Sequence, residues 1–199
     1  MHMTRTPESE SNHVLILASS SPRRRQLLTE AGVPFEAVDP PIPEPAPSGL
    51  SPIEQAESLA YFKARAVRPK YPDRTILAAD TIVALNGQVM GKASDEAQAL
   101  NMLQMLSGTR HQVITGMAII EPGRRQIAYD VTYVTMRKMT VEQVQAYVDS
   151  GEWIDKAGAY AIQMTADRYV KHIEGSFTNV VGLPMELVLR MLAQARFAY

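Results

Sequence analysis

Cysteine is absent from the 199 residues, so the chain has neither a disulfide framework nor a thiolate metal site. Zinc-finger and thiol-protease readings are excluded, and a reducing compartment suits the composition. An excess of charge is also lacking, with Lys plus Arg at 20, Asp plus Glu at 21 and a formal net charge of -1. That balance removes any global pull toward nucleic acid or a membrane surface, while leaving room for local basic clusters and a small anionic ligand. No apolar run approaches the roughly 20 residues of a membrane-crossing helix. The polar start, Met1 to Asn12, lacks the apolar core of a secretory signal, so a cytoplasmic location is expected. Four histidines, His2, His13, His111 and His172, are scattered without ligand spacing. The chain contains no GxxxxGK[ST] phosphate loop, no GxGxxG fingerprint, no GxSxG elbow and no HExxH pair.

What is present is a chain long enough, at 46% hydrophobic, to bury one substantial core. Residues 1–13 read as a disordered leader or cloning remnant, and residues 14–199 as a single domain. Val14 to Ala18 is an apolar strand candidate running into Ser19-Ser20-Ser21-Pro22, where Ser21 is suited to cap a helix and Pro22 to its first turn. Gly32 is placed to end that helix in a left-handed cap. A strand near Phe35 to Val38 leads into a proline-rich stretch, Asp39 to Ser48, expected to be an extended loop. Ser51-Pro52-Ile53-Glu54 has the form of a capping box, and an apolar face continues from Ile53 to Val67.

Thr75 to Ala79 and Ile82 to Met90 read as strands, the second folded at the hairpin dipeptide Asn86-Gly87, with Asp80-Thr81 between them. Ser94 is expected to cap a further helix, in which Met102 and Met105 fill core, as does Met191 in the last helix. Long strands around Val113 to Ile120 and Gln126 to Met136 follow, then a short helix from Thr140 and a loop from Gly151 to Gln163. A strand at Tyr169 to Ile173 and a helix from Pro184 complete the chain. The pattern predicts an α/β fold on a mixed, twisted sheet with flanking helices.

Two segments concentrate chemistry. Ser19 to Arg25 joins a helix start, serine hydroxyls and three arginines, which together form an anion cradle. The same segment also fits a well-capped surface helix with solvated arginines, and at most one or two of the three can face a ligand. Asp80, after the buried run Ile76 to Ala79, sits where α/β sheets place ligands and is able to hold a metal or orient water. An aspartate bonded to local backbone is the alternative. Glu36 and Glu44 are weaker carboxylate candidates. Lys63 and Lys92 are available to neutralise phosphate, although each singly reads as solvated. The loop Asp155-Lys156-Ala157-Gly158-Ala159-Tyr160 permits close backbone approach. Gln163 carries an amide able to read a base edge, or is a surface strand residue.

In order, Leu17-Ala18-Ser19-Ser20-Ser21-Pro22-Arg23-Arg24, Ala79-Asp80-Thr81, Asp155-Lys156-Ala157-Gly158-Ala159-Tyr160 and Val181-Gly182-Leu183-Pro184 resemble the Maf family of nucleoside triphosphate pyrophosphatases. The resemblance runs from about Val14 to the last helix. It implies a fold like that of the inosine triphosphate pyrophosphatases, a homodimer, and a Mg²⁺ or Mn²⁺ cofactor. It implies hydrolysis of nucleoside triphosphates to monophosphate and pyrophosphate, with Asp80 as catalytic proton acceptor. Ser19, Ser21 and Arg24 match the family's phosphate-binding segment, Glu36, Lys63 and Lys92 its charged positions, and Glu36 and Asp80 are the implied metal ligands. Arg23, Thr81 and Gln163 stand at its specificity positions, as in the branch acting on dTTP and UTP. The chain departs from the pattern at Phe62, where a glutamate is usual, at Ala93, where a proline is usual, and between Met164 and Arg168. The rival reading is a non-catalytic nucleotide-binding regulator of cell division. A nucleic-acid-binding role for the arginine cluster is disfavoured by the near-neutral charge.

Overall fold

A computed structural model describes residues 14–41, 49–195 and 197. Most of the proline-rich stretch, Glu44 within it and residues 1–13 therefore lie outside the described residues. A seven-stranded mixed sheet organises the chain in the order β2-β1-β3-β5-β6-β7, with β4 pairing β3. The strands are β1 (Leu15–Ala18), β2 (Phe35–Val38), β3 (Ile76–Leu85), β4 (Gln88–Met90), β5 (Arg110–Glu121), β6 (Arg124–Met136) and β7 (Val170–Glu174). β1 runs parallel to β2 and β3, and the remaining pairs are antiparallel. The helices are α1 (Pro22–Glu30), α2 (Pro52–Val67), α3 (Glu96–Leu106), α4 (Val141–Asp149), α5 (Phe177–Val181) and α6 (Met185–Gln194).

Strand alternation decides which helix covers which face. Odd-numbered residues of β3 and β5, such as Leu77, Ala79, Val83, Val113 and Met117, join the large core with α1, α3, α4 and α6. Even-numbered ones, Ile76, Ala78, Ala118 and then Ile82, Ala84, Ile114, face α2 through Ala56, Ala60 and Ala64. β1 is buried on both faces, as parallel strands under helices are. Each of its fully buried leucines and isoleucines contributes roughly 1.5–3 kcal/mol.

The alanines let α2 lie close to the sheet, and Gly116 lets it lie closer still. A Cβ at Gly116 would fall inside contact distance of the Ala56 carbonyl. The capping box holds the start of this helix, since Ser51 accepts from the Glu54 amide and Glu54 returns a bond to Ser51.

Several expectations shift in detail. Asp80 and Thr81 do not separate two strands but lie inside β3, because β5 pairs continuously from Ile76 to Ala84. The third helix is capped by Asp95, not Ser94, since the Asp95 carboxylate accepts from the Gln98 amide at 2.8 Å. Met102 and Met191 are buried, whereas Met105 is 42% exposed. The short helix α5 was not anticipated.

Candidate active site

The site begins with an interruption in the sheet. On one edge of β3, pairing with β1 reaches only Leu77, and pairing with β4 starts at Val83. Between these points, at the carboxyl end of β1, opens a cleft of about 1030 Å³, at the kind of crevice where α/β sheets bind ligands. Consecutive strand residues point to opposite faces, yet both Asp80 and Thr81 line this cleft because it wraps the open strand edge.

The chain leaving β1 builds the first wall. The Ser21 hydroxyl accepts from the Arg24 amide as the cap of α1, and the Ser21 amide donates to Ser19 Oγ at 3.2 Å. Buried Arg24 locks the turn from inside. Its guanidinium donates to Ser19 Oγ at 3.2 Å, Thr81 Oγ1 at 3.0 Å and the Gly182 carbonyl at 2.8 Å. Gly182 presents that carbonyl from a left-handed backbone, φ 128°, which favours glycine. The network continues inward from Thr81 to Thr115 at 2.9 Å and from Thr115 to the Asn179 carbonyl. Asn179 is fully buried, with its side-chain amide donating to Val113 and Thr132.

The second wall is α2. Gln55, Leu59 and Lys63, spaced four residues apart, line the cleft as one stripe. At its end Lys63 Nζ meets Asp80 Oδ1 at 2.5 Å, with side-chain exposures of 13% and 10%.

The third wall is basic. Lys92 follows β4, bridges to Ala157 and pairs with Asp155 at 3.8 Å. Arg23, on the first turn of α1, is partly withdrawn from water, and burial lowers its pKa. Lys156 has its pKa lowered by burial, and then by Arg23 and Lys92 against the opposing pull of Asp155. Met90, Ile162 and Met164 add apolar lining to the cleft. Tyr160 anchors the loop from below through a 2.8 Å bond to His111 Nε2, and burial raises its pKa. A second, apolar hollow of about 160 Å³ between β4 and α3 gathers no charged side chain.

The cleft thus brings together Ser19, Ser21, Arg23, Arg24, Lys63, Asp80, Thr81 and Lys92. It does not bring in Glu36 or Gln163. Glu36 is exposed on β2, accepts the Tyr71 hydroxyl at 2.8 Å and sits beside Ile16, back from the strand end where the cleft opens. Gln163 is exposed at the tip of the turn in which Met164 N bonds to Ala161 O, while its neighbours Ile162 and Met164 line the cleft. Of the three adjacent arginines, Arg23 faces the cleft, Arg24 is internal and Arg25 pairs with Asp39 at 3.3 Å. Gln55 was not anticipated in the cleft, and Lys156 was noted only as part of its loop. Helical spacing back from Lys63 marks the first, and the small residues after Lys156 mark the second.

Among the described residues no group of three or more His, Asp or Glu side chains is arranged to hold a metal. The acids among the described lining residues are Asp80 and the exposed Asp155. A buried carboxylate in a cleft lined by cations fits an ion such as Mg²⁺, which binds through one or two carboxylates plus substrate phosphates.

A family model described as Maf-like protein matches residues 14–195. The chain belongs to the Maf family. Among Maf relatives, the dTTP/UTP pyrophosphatase of Symbiobacterium thermophilum is 47% identical over 180 residues, covering 90% of this chain and 93% of the relative. The dTTP/UTP pyrophosphatase of Bacillus cereus is 45% identical over 187 residues, covering 94% and 92%. Among solved structures, the Ham1 protein of Staphylococcus aureus is similar with a TM-score of 0.50 at 15% identity, covering 91% of this chain and 98% of that one. At that identity the likeness shows the fold alone. Among the described residues no helix is long and apolar enough to cross a membrane.

Proposed function

We propose that this Maf protein is a nucleoside triphosphate pyrophosphatase that hydrolyses dTTP and UTP to the monophosphate and pyrophosphate with a divalent metal. The observation that carries the reading is the opening of the α1 serine-arginine turn and of the Lys63–Asp80 pair onto one cleft. The names of the relatives, dTTP/UTP pyrophosphatase, support the reaction and the pyrimidine preference.

In the reaction, a water oxygen bonds to the α-phosphorus, the bond to the bridging oxygen breaks, and pyrophosphate leaves with that electron pair. Asp80 orients the water and accepts its proton, as a carboxylate within reach of the attacking oxygen does. Lys63 steers the carboxylate. The first-turn amides of α1, the Ser19 and Ser21 hydroxyls, Arg23 and Lys92 receive phosphate oxygens. Arg24 and Thr81 hold the turn in shape against the strand edge, so donors are in place before the substrate arrives. Asp80, together with phosphate oxygens of the substrate, would hold a Mg²⁺ or Mn²⁺ ion, which would offset charge on the bridging oxygens. Ile162 and Met164 flank the base, and Gln163 at the rim complements its polar edge.

A panel of dTTP, UTP and 7-methyl-GTP with Mg²⁺ or Mn²⁺, scored for pyrophosphate against orthophosphate, tests the reading. Pyrophosphate from dTTP and UTP is expected. Nucleotide binding without release would favour the regulator of cell division instead, and preference for 7-methyl-GTP would remove the specificity assignment. A cytoplasmic homodimer belongs to the same proposal and rests on the family resemblance, with light scattering as its check.

A further inference from the structure

Lys156 carries no role in the reaction as drawn, yet the fold fixes it in the cleft. Its loop is clamped to the β3–β4 hairpin by the Lys92 to Ala157 bridge and by the Gly158 amide donating to the Gly91 carbonyl at 3.0 Å. Asp155 and Ala159 both adopt φ of 59°, a left-handed backbone that non-glycine residues keep only where the surroundings impose it. Gly158 sits so tightly that an added Cβ would lie 3.0 Å from the Val83 methyls. The segment is therefore a fixed part of the cleft wall.

Charge on this wall is unbalanced. Arg23, Lys92 and Lys156 all line the cleft. Among the described residues that line this wall the acid is Asp155, which is 81% exposed and reaches Lys92 at 3.8 Å. Burial and the two neighbouring cations hold the Lys156 pKa below the ordinary lysine range. Like charges gathered without a matching acid are stabilised when a polyanion enters. Lys156 Nζ donates one bond, to the Ile154 carbonyl at 2.8 Å, and an ammonium has three donors.

We infer that Lys156 binds phosphate directly, joining Lys92 and Arg23 around the pyrophosphate-bearing end of the substrate. The inference rests on the triphosphate reading. It assigns this cation cluster to the β- and γ-phosphates, the most highly charged part of the ligand, and leaves the Lys63–Asp80 side to the α-phosphorus.

Inorganic tripolyphosphate, which has no base, is the probe. Its binding by isothermal titration is compared among the wild type, K156Q, K156M, K156R and K171Q, with thermal melts of each chain. Lys171 is exposed on β7, outside the cleft lining. Loss of one charge-assisted contact is expected to weaken K156Q and K156M by about tenfold. K156R should restore most of the affinity and K171Q should match the wild type. Wild-type affinity in both neutral variants would overturn the inference. The two readings separate cleanly. Normal dTTP turnover with no binding loss in K156Q and K156M removes only Lys156, whereas a binding loss in a protein that releases no pyrophosphate removes only the enzymatic reading.

Discussion

Lys63 Nζ stands 2.5 Å from Asp80 Oδ1, with both side chains largely withdrawn from solvent. The contact joins the middle of α2 to a point on β3 where the strand edge is open to the cleft. It holds the Asp80 carboxylate in one orientation, in the same cleft as the serine-arginine turn of α1.

Asp80→Asn keeps the shape of the side chain but removes the proton acceptor. Pyrophosphate release from dTTP should fall by at least ~100-fold, within the range that general-base catalysis contributes, while circular dichroism stays that of the folded chain. Lys63→Met leaves the acid without this cation and should destabilise the fold by ~3 kcal/mol, as breaking a buried pair does. The double variant Asp80→Asn with Lys63→Met should be more stable than Lys63→Met alone, read by urea titration.

Gly116 pairs with Asp80 across β3 and β5 and touches the Ala56 backbone of α2. Gly116→Ala must therefore push back the helix that carries Lys63. Overpacking typically costs 1–3 kcal/mol, and contact with backbone puts this site at the upper end, ~3 kcal/mol. A lower melting temperature together with reduced kcat is expected. Wild-type values for both would show that α2 does not need this approach.

His111 predicts the acid limb of stability. Burial lowers its pKa from 6.5 to about 4, so the folded state resists a proton that the unfolded state accepts. The stability tied to the neutral ring is complete above pH 6.5 and is lost as pH falls through 4. The shift corresponds to roughly 3 kcal/mol. Urea midpoints across that window should fall more steeply for the wild type than for the double variant His111→Phe with Tyr160→Phe. Equal slopes would assign the acid loss to other groups.

Metal should bind with the nucleotide rather than before it. Among the described residues Asp80 is the buried acid of the cleft; with few ligands offered by these residues alone, the phosphates complete the set. Calorimetry should show weak Mg²⁺ binding without nucleotide and clear binding with a non-hydrolysable dTTP analogue. A chelator should abolish turnover. Tight binding to the protein alone would point to a preformed metal site.

Much of this arrangement was legible in the residues themselves. Ser21-Pro22, the Ser51 to Glu54 box and Asn86-Gly87 act locally, through caps and a turn, and each appears where the sequence placed it. The continuity of β3 through Asp80 was hidden, because it depends on pairing with β5, a long-range partner. Arg24 read as a phosphate-binding arginine; its burial was hidden, since it needs Gly182 to supply a carbonyl from 158 residues away. The position of Glu36 was hidden for a related reason. Its acidity is visible in the sequence, but its position back from the strand end is set by the register of β2 on β1.

Turnover of dTTP in water enriched with heavy oxygen, followed by mass spectrometry of the products, tests the convergence of Asp80 and the serine-arginine turn on one triphosphate. Water positioned by Asp80 at the α-phosphorus must leave the label in the thymidine monophosphate, with intact unlabelled pyrophosphate beside it. Label in the pyrophosphate, or release of orthophosphate, would place the attack at another phosphorus and contradict the account.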